Sequence, residues 1–145
     1  MSFLDALQTS GSGLSAQRLR MNLISSNLAN VNTTRTEDGG PYRRKDAVFK
    51  ATAAETNFNE QLDSKLDQAN VGVQVTAIRD DYRPPILKFE PNHPDADASG
   101  YIALPNINVM EEMVNMISAT RSYEANVTAL KATKEMASDA MDIGR

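Results

Sequence analysis

The side chains that could do chemistry are few and scattered. Asp95-Ala96-Asp97-Ala98-Ser99-Gly100 imitates the opening of a calcium loop, with oxygen-bearing residues at positions one, three and five and glycine at six. Position twelve, where a bidentate Glu should close the shell, is Asn106 behind Pro105, and Pro91 and Pro94 leave no room for an entering helix. The stretch therefore reads as a solvated acidic turn, with calcium binding as the rival reading. The single histidine, His93, stands between Asn92 and Pro94, and no Gly-x-Ser-x-Gly elbow accompanies it, so a small hydrolase built on it is a weak rival. Glu111-Glu112 are neighbours on an expected helix and point about 100° apart, which rules out a shared-proton dyad; they suit the positive end of that helix. Arg43-Arg44-Lys45 is the only basic run; it is either a contact for an acidic partner or an ordinary exposed strand segment with alternating faces. Gly11-Ser12-Gly13 has neither the lysine nor the preceding strand of a phosphate loop. There is no cysteine, so thiol nucleophiles, thiolate-ligated metal and disulfides are excluded. Neither an enzyme nor a bound cofactor is expected.

The elements around these residues say more. The chain has 145 residues and a net charge of −4, which disfavours a dedicated nucleic-acid binder because phosphate contacts need a basic face. No apolar run is long enough to span a bilayer, and Met1-Ser2-Phe3-Leu4-Asp5 lacks the marks of a cleaved secretory signal, so direct membrane insertion is not expected. Leu7, Leu14, Met21 and Leu28 recur every seven residues, with Phe3, Ile24 and Val31 on companion positions, which predicts a helix through residues 1–32. Gly11 and Gly13 predict a kink or break in it, and Ser10 and Gln17 sit where apolar residues should be. A second long helix is predicted over 107–145. Pro105 stops it from extending backwards, and Asn108 with Glu111 supplies an N-cap and capping-box partner. Met113, Met116, Ile117, Tyr123, Val127 and Leu130 carry its apolar stripe.

Between them, residues 33–106 hold all six prolines and the β-rich runs Tyr42–Ala51 and Val71–Arg79, with Ile86–Phe89 as a third strand. Ala54–Asn70 is polar and loosely helical, without a firm assignment. The fold class is mainly α with a small β-rich insert between two long terminal helices that pair as a coiled coil. Two long helices facing only each other leave much of each surface uncovered, so partner chains are expected to complete the burial.

Ser25-Ser26-Asn27-Leu28-Ala29-Asn30-Val31-Asn32-Thr33 resembles the N-terminal signature of the flagellar rod and hook family of axial proteins, carried by Asn27, Leu28, Ala29, Asn30 and Asn32. Glu112-Met113-Val114-Asn115-Met116-Ile117, continuing through Val127, is similar to that family's C-terminal helix. Pro41–Lys45, Val48-Phe49 and Gly100–Asn106 resemble its short proximal-rod branch, which the length also suits. The resemblance implies a structural subunit of the basal-body rod in the periplasm. Such a subunit is exported unfolded by the flagellar type III apparatus without a cleaved signal, and it contributes to motility as part of a torque-transmitting shaft. It implies contacts with further copies and with FlgB, FlgF, FlgG and, at the rod base, FliE. It also implies terminal segments that order on assembly, with Leu7, Leu14, Met21, Ile24, Leu28 and Val31 meeting Met113, Met116, Ile117, Tyr123, Val127 and Leu130 within and between subunits. Asn27, Asn30 and Asn32 would then satisfy backbone groups where helix gives way to insert. Another short proximal-rod paralogue and a calcium-binding export-associated protein are the alternatives.

Overall fold

The computed structural model describes residues 3–37, 39–53 and 70–143; the loosely helical expectation for 54–69 lies outside the described residues. Helix α1 spans Phe3–Ala29, β1 Lys45–Ala53, β2 Asn70–Asp80, β3 Ile86–Phe89, β4 Tyr101–Leu104 and α2 Val109–Ile143. At 27 and 35 residues the helices are about 40 and 52 Å long. The mainly α architecture with a small β insert is thus present. Strand β4 is not among the strands expected from the sequence; its pairing with β3 makes it one. No helix among the described residues is long and apolar enough to cross a membrane.

The expected break in α1 does not occur: the helix runs unbroken through Gly11 and Gly13. Tertiary packing accounts for two of the three small residues there, Ser12 and Gly13. A Cβ on Gly13 would lie 3.1 Å from the Asn126 amide on α2, while Ser12 Oγ accepts the Val73 amide of β2 at 2.9 Å and donates to Thr9 O at 2.8 Å. On the facing strand, a Cβ on Gly72 would meet that Ser12 Oγ at 2.8 Å. Gly11 faces open space. The variants should therefore part in sign: Gly11→Ala is expected to stabilise by about 0.5–1 kcal/mol and Gly72→Ala to destabilise by about 1–3 kcal/mol, read as shifts of the urea midpoint.

Helices α1 and α2 run antiparallel. Gly13 lies opposite Asn126, Met21 Sδ is 3.7 Å from Thr120 Oγ1, and Asn27 bonds Glu112. The seam between them is built from small and polar residues: Ala16 and Ala119 are buried, as are Asn27 and Glu112, with Ile24 the one large apolar residue buried there. Gln17 Oε1 is the one buried side-chain atom without a hydrogen-bond partner among the described residues. Helix α1 also packs on β1 and β2, which pair antiparallel from Lys45↔Asp80 to Ala53↔Asn70, with bulges at Val48/Phe49 and Thr52/Ala53. Strands β3 and β4 form a second antiparallel pair, Ile86↔Leu104 to Phe89↔Tyr101. The hairpin between them turns at Gly100, where a φ of +79° and the 2.9 Å that would separate an added Cβ from the Phe89 ring both favour glycine.

Candidate functional site: a buried polar junction and an exposed helix stripe

At the cap of α2, Asn108 Oδ1 accepts the Met110 amide at 3.0 Å and the Glu111 amide at 3.5 Å, the N-cap its type and place predicted. The Glu111 carboxylate makes no return bond, so the reciprocal half of the capping box is missing among the described residues. Glu112 departs further from expectation. It is 1% exposed, against the solvated role beside the helix dipole that its sequence position suggests, and it ends in a polar junction rather than in water.

Asn27 lies at the centre of that junction and is fully buried. Its Nδ2 donates to Glu112 Oε2 at 3.0 Å and to Lys45 O at 2.9 Å. Its Oδ1 accepts from the Lys45 amide at 2.9 Å and the Tyr42 hydroxyl at 3.1 Å. One amide thus grips both backbone groups of the first residue of β1, in the manner of a neighbouring strand, and also joins α1 to α2. Arg44 Nε donates to Glu112 Oε1 at 2.8 Å, and its Nη1 lies 3.3 Å from Asp46 Oδ2. Burial works to lower the Arg44 pKa, but the Glu112 hydrogen bond and charge, with Asp46 behind them, outweigh it, and the pKa ends above its ordinary value. The Asp81 carboxylate is held below its ordinary value by the Arg83 side chain and backbone amide.

Arg43 and Arg44 precede β1 rather than lie in it, which corrects the exposed-strand reading of the basic run. Arg43 is exposed above the Tyr82 ring, 5.1 Å from its centroid, whereas Arg44 turns inward to Glu112. Asn30 Nδ2 donates to Ser26 O at 2.9 Å and its Oδ1 accepts from Thr33, closing the end of α1; Asn32 is exposed and makes no such bond among the described residues. The acidic loop spends its oxygens locally. Asp97 Oδ1 accepts the amides of Ser99 and Tyr101, Asp95 Oδ2 accepts the Thr34 hydroxyl, and His93 Nδ1 accepts the Asp95 amide. No group of three or more acidic, histidine or cysteine side chains among the described residues could hold a metal ion.

The stripe residues divide. Ile24 is buried, and Leu7, Leu14, Met21, Leu28, Val31, Met116, Tyr123, Val127 and Leu130 are half-buried. Met113 and Ile117 are more than half exposed, and with Met110 and Val114 they form an apolar strip at helical spacing on the outside of α2.

Two family models match the chain. One, described as flagella basal body rod protein, covers residues 7–35 and so most of α1; the other, described as flagellar basal body rod FlgEFG protein C-terminal, covers residues 98–143, from the end of the β3–β4 turn through α2. Over full length, the chain is 43% identical to the flagellar basal-body rod protein FlgC of Borreliella burgdorferi, covering 99% of this chain and 98% of that one. The chain belongs to the FlgC family of flagellar basal-body rod proteins. It is 42% identical to the Bacillus subtilis FlgC over 100% of both chains, and 44% identical to that of Aquifex aeolicus over 94% of this chain and 92% of the other. A FlgC-family chain is a structural component of the rod, located in the flagellar basal body. In that light the junction and the stripe are parts of a building block. The signal for Glu112 was present in the sequence: Glu112, Ala119, Asn126 and Thr133 recur at seven-residue spacing, a small and polar seam overlooked beside the larger apolar residues.

Proposed function

We propose that this chain is a subunit of the proximal rod and that it polymerises through its terminal helices into the shaft that carries torque across the periplasm. Residues 1–32 and 107–145 form the inner, helical layer and 33–106 the outer one. The observation that carries this reading is the exposed strip Met110, Met113, Val114 and Ile117 on a helix whose opposite face is already occupied by α1. Water-exposed apolar side chains at i, i+3, i+4 and i+7 form a ready surface for a neighbouring helix, and the thioethers adapt to non-identical neighbours. Leu7, Leu14, Met21, Leu28, Val31, Met116, Tyr123, Val127 and Leu130, all half-buried, would lose their remaining exposure in the same assembly. Asn27, Leu28, Ala29, Asn30 and Asn32 hold the place where the helical layer hands over to the insert.

The partners are further copies, FlgB, FlgF and FlgG along the shaft, FliE at its base, and the export apparatus that delivers the chain. Nothing in this role calls for catalysis. A label fused at the exposed turn of residues 90–100 and located in maps of intact basal bodies should appear at the cell-proximal end of the rod; a label confined to the distal rod or hook would rule the reading out.

A further inference from the structure

Gly11 has no packing reason in the folded chain. A Cβ there would meet nothing within 4 Å, and its φ is not positive, so alanine fits and strengthens the helix. Its neighbours differ: Asn126 crowds the place of a Cβ on Gly13, and Ser12 lies against Gly72. A residue that weakens a helix without easing any contact in the straight form points to a second form in which the helix bends there. Gly/Ser pairs are among the few places where helices kink sharply. The surrounding turn is also supplied with spare donors. Ser12 Oγ donates to Thr9 O at 2.8 Å and Ser15 Oγ to Gly11 O at 3.2 Å. Both carbonyls keep a side-chain partner when the backbone bonds beside them lengthen, and back-bonding of this kind bends helices.

What holds the helix straight at this point comes from outside it. Ser12 Oγ accepts the Val73 amide of β2 at 2.9 Å, and Gly72 leaves the room for that approach. This is a single exposed hydrogen bond, of the kind that contributes little net stability in water. The firm attachment of α1 is at its other end, where the buried Asn27 is bonded to Lys45 and Glu112. The arm Phe3–Ser10, with Leu7 half-buried on it, therefore begins beyond a weak latch. We infer that Gly11-Ser12-Gly13 is a hinge latched by Val73, on which the arm swings between a straight and a bent position, and that the subunit uses the bent position as it is built in beside its neighbours. Bending takes Leu7 out of its present surroundings and offers it to another subunit. The inference rests on the rod reading and adds to it a moving part in the helical layer, controlled by a strand of the outer one.

The absence of native cysteine makes the test clean. Gln8→Cys and Glu135→Cys, both at exposed positions, put one spin label on the arm and one on α2 of the purified chain. Double electron–electron resonance should resolve a main distance and a minor second one. Gly72→Ala, which pushes Ser12 Oγ away from the strand, should raise the second population about threefold to tenfold. Ser12→Ala removes the same bond without crowding the strand and should act alike. Gly11→Ala should lower that population about fivefold. In unlabelled cells Gly11→Ala, although it stabilises the chain, should lower the number of hook–basal bodies by a similar factor, and adding Gly72→Ala to it should restore them. A merely structural glycine would show neither the loss nor the rescue. One distance that is the same in all four chains, full numbers of basal bodies from Gly11→Ala, or no rescue by Gly72→Ala would each overturn the inference and leave the rod reading standing. Absence of the unsubstituted chain from basal bodies would overturn both.

Discussion

Asn27→Ala is expected to lower the stability of the purified chain by roughly 3–5 kcal/mol, a urea midpoint shift of about 1–3 M. The size follows from what the substitution strands. Four groups lose a partner at once: the Lys45 amide and carbonyl, the Tyr42 hydroxyl and one Glu112 oxygen. Each buried group left unmade costs about 1–3 kcal/mol, and the more exposed among them recover part of that from water. Asn27→Asp should cost at least as much, because it turns the donor facing Glu112 into a second carboxylate oxygen against a residue that is 1% exposed. A shift below 0.3 M for Asn27→Ala would mean that the junction is not what fastens α1 to β1 and α2. The amide's hydrogen bonds tie α1 to both β1 and α2, so its loss should also loosen the start of β1, visible as faster amide exchange at Lys45.

Ile117→Asp should do the reverse, leaving the isolated chain almost untouched and abolishing assembly. The side chain is 55% exposed, and its neighbours on the strip, Met110 and Val114, are more so at 69% and 64%. A charge there costs the monomer about 0.5–1 kcal/mol. Covered by a neighbouring helix, the same carboxylate is buried without a partner, which costs several kcal/mol at every contact. Repeated along a polymer, that is enough to empty the rod of the variant. Cells producing only the Ile117→Asp chain should export it, form no hook–basal bodies and fail to spread in soft agar. Val114→Asp should behave alike, and wild-type swimming by both would remove the strip from the assembly surface.

The two variants separate the two tasks of α2. Its first turn carries Glu112 inward to the junction, and the next two turns carry Met113, Val114 and Ile117 outward. Rotation by 100° per residue allows adjacent positions to serve opposite purposes. This is also why Glu111-Glu112 misled a local reading. Both suit a helix N-terminus, and nothing within a few residues of them tells which one is buried.

What the sequence determined by itself was the kind and order of the elements. A seven-residue apolar repeat, an Asn cap behind a proline, and β-branched alternation are local signals, and each acts through backbone geometry within a few residues. They were sufficient for α1, α2, strands β1 to β3 by region and the family likeness. The tertiary structure decided what depends on residues far apart in the chain. Gly13 and Gly72 remain in a continuous helix and a strand because Asn126 and Ser12 occupy the space a Cβ would need. Tyr101–Leu104 is a strand because Ile86–Phe89 lies beside it. Glu112 is a buried anchor because Asn27, 85 positions earlier, and Arg44 converge on it. Pairings of this kind are settled by where the chain returns in space, and no local propensity carries that information.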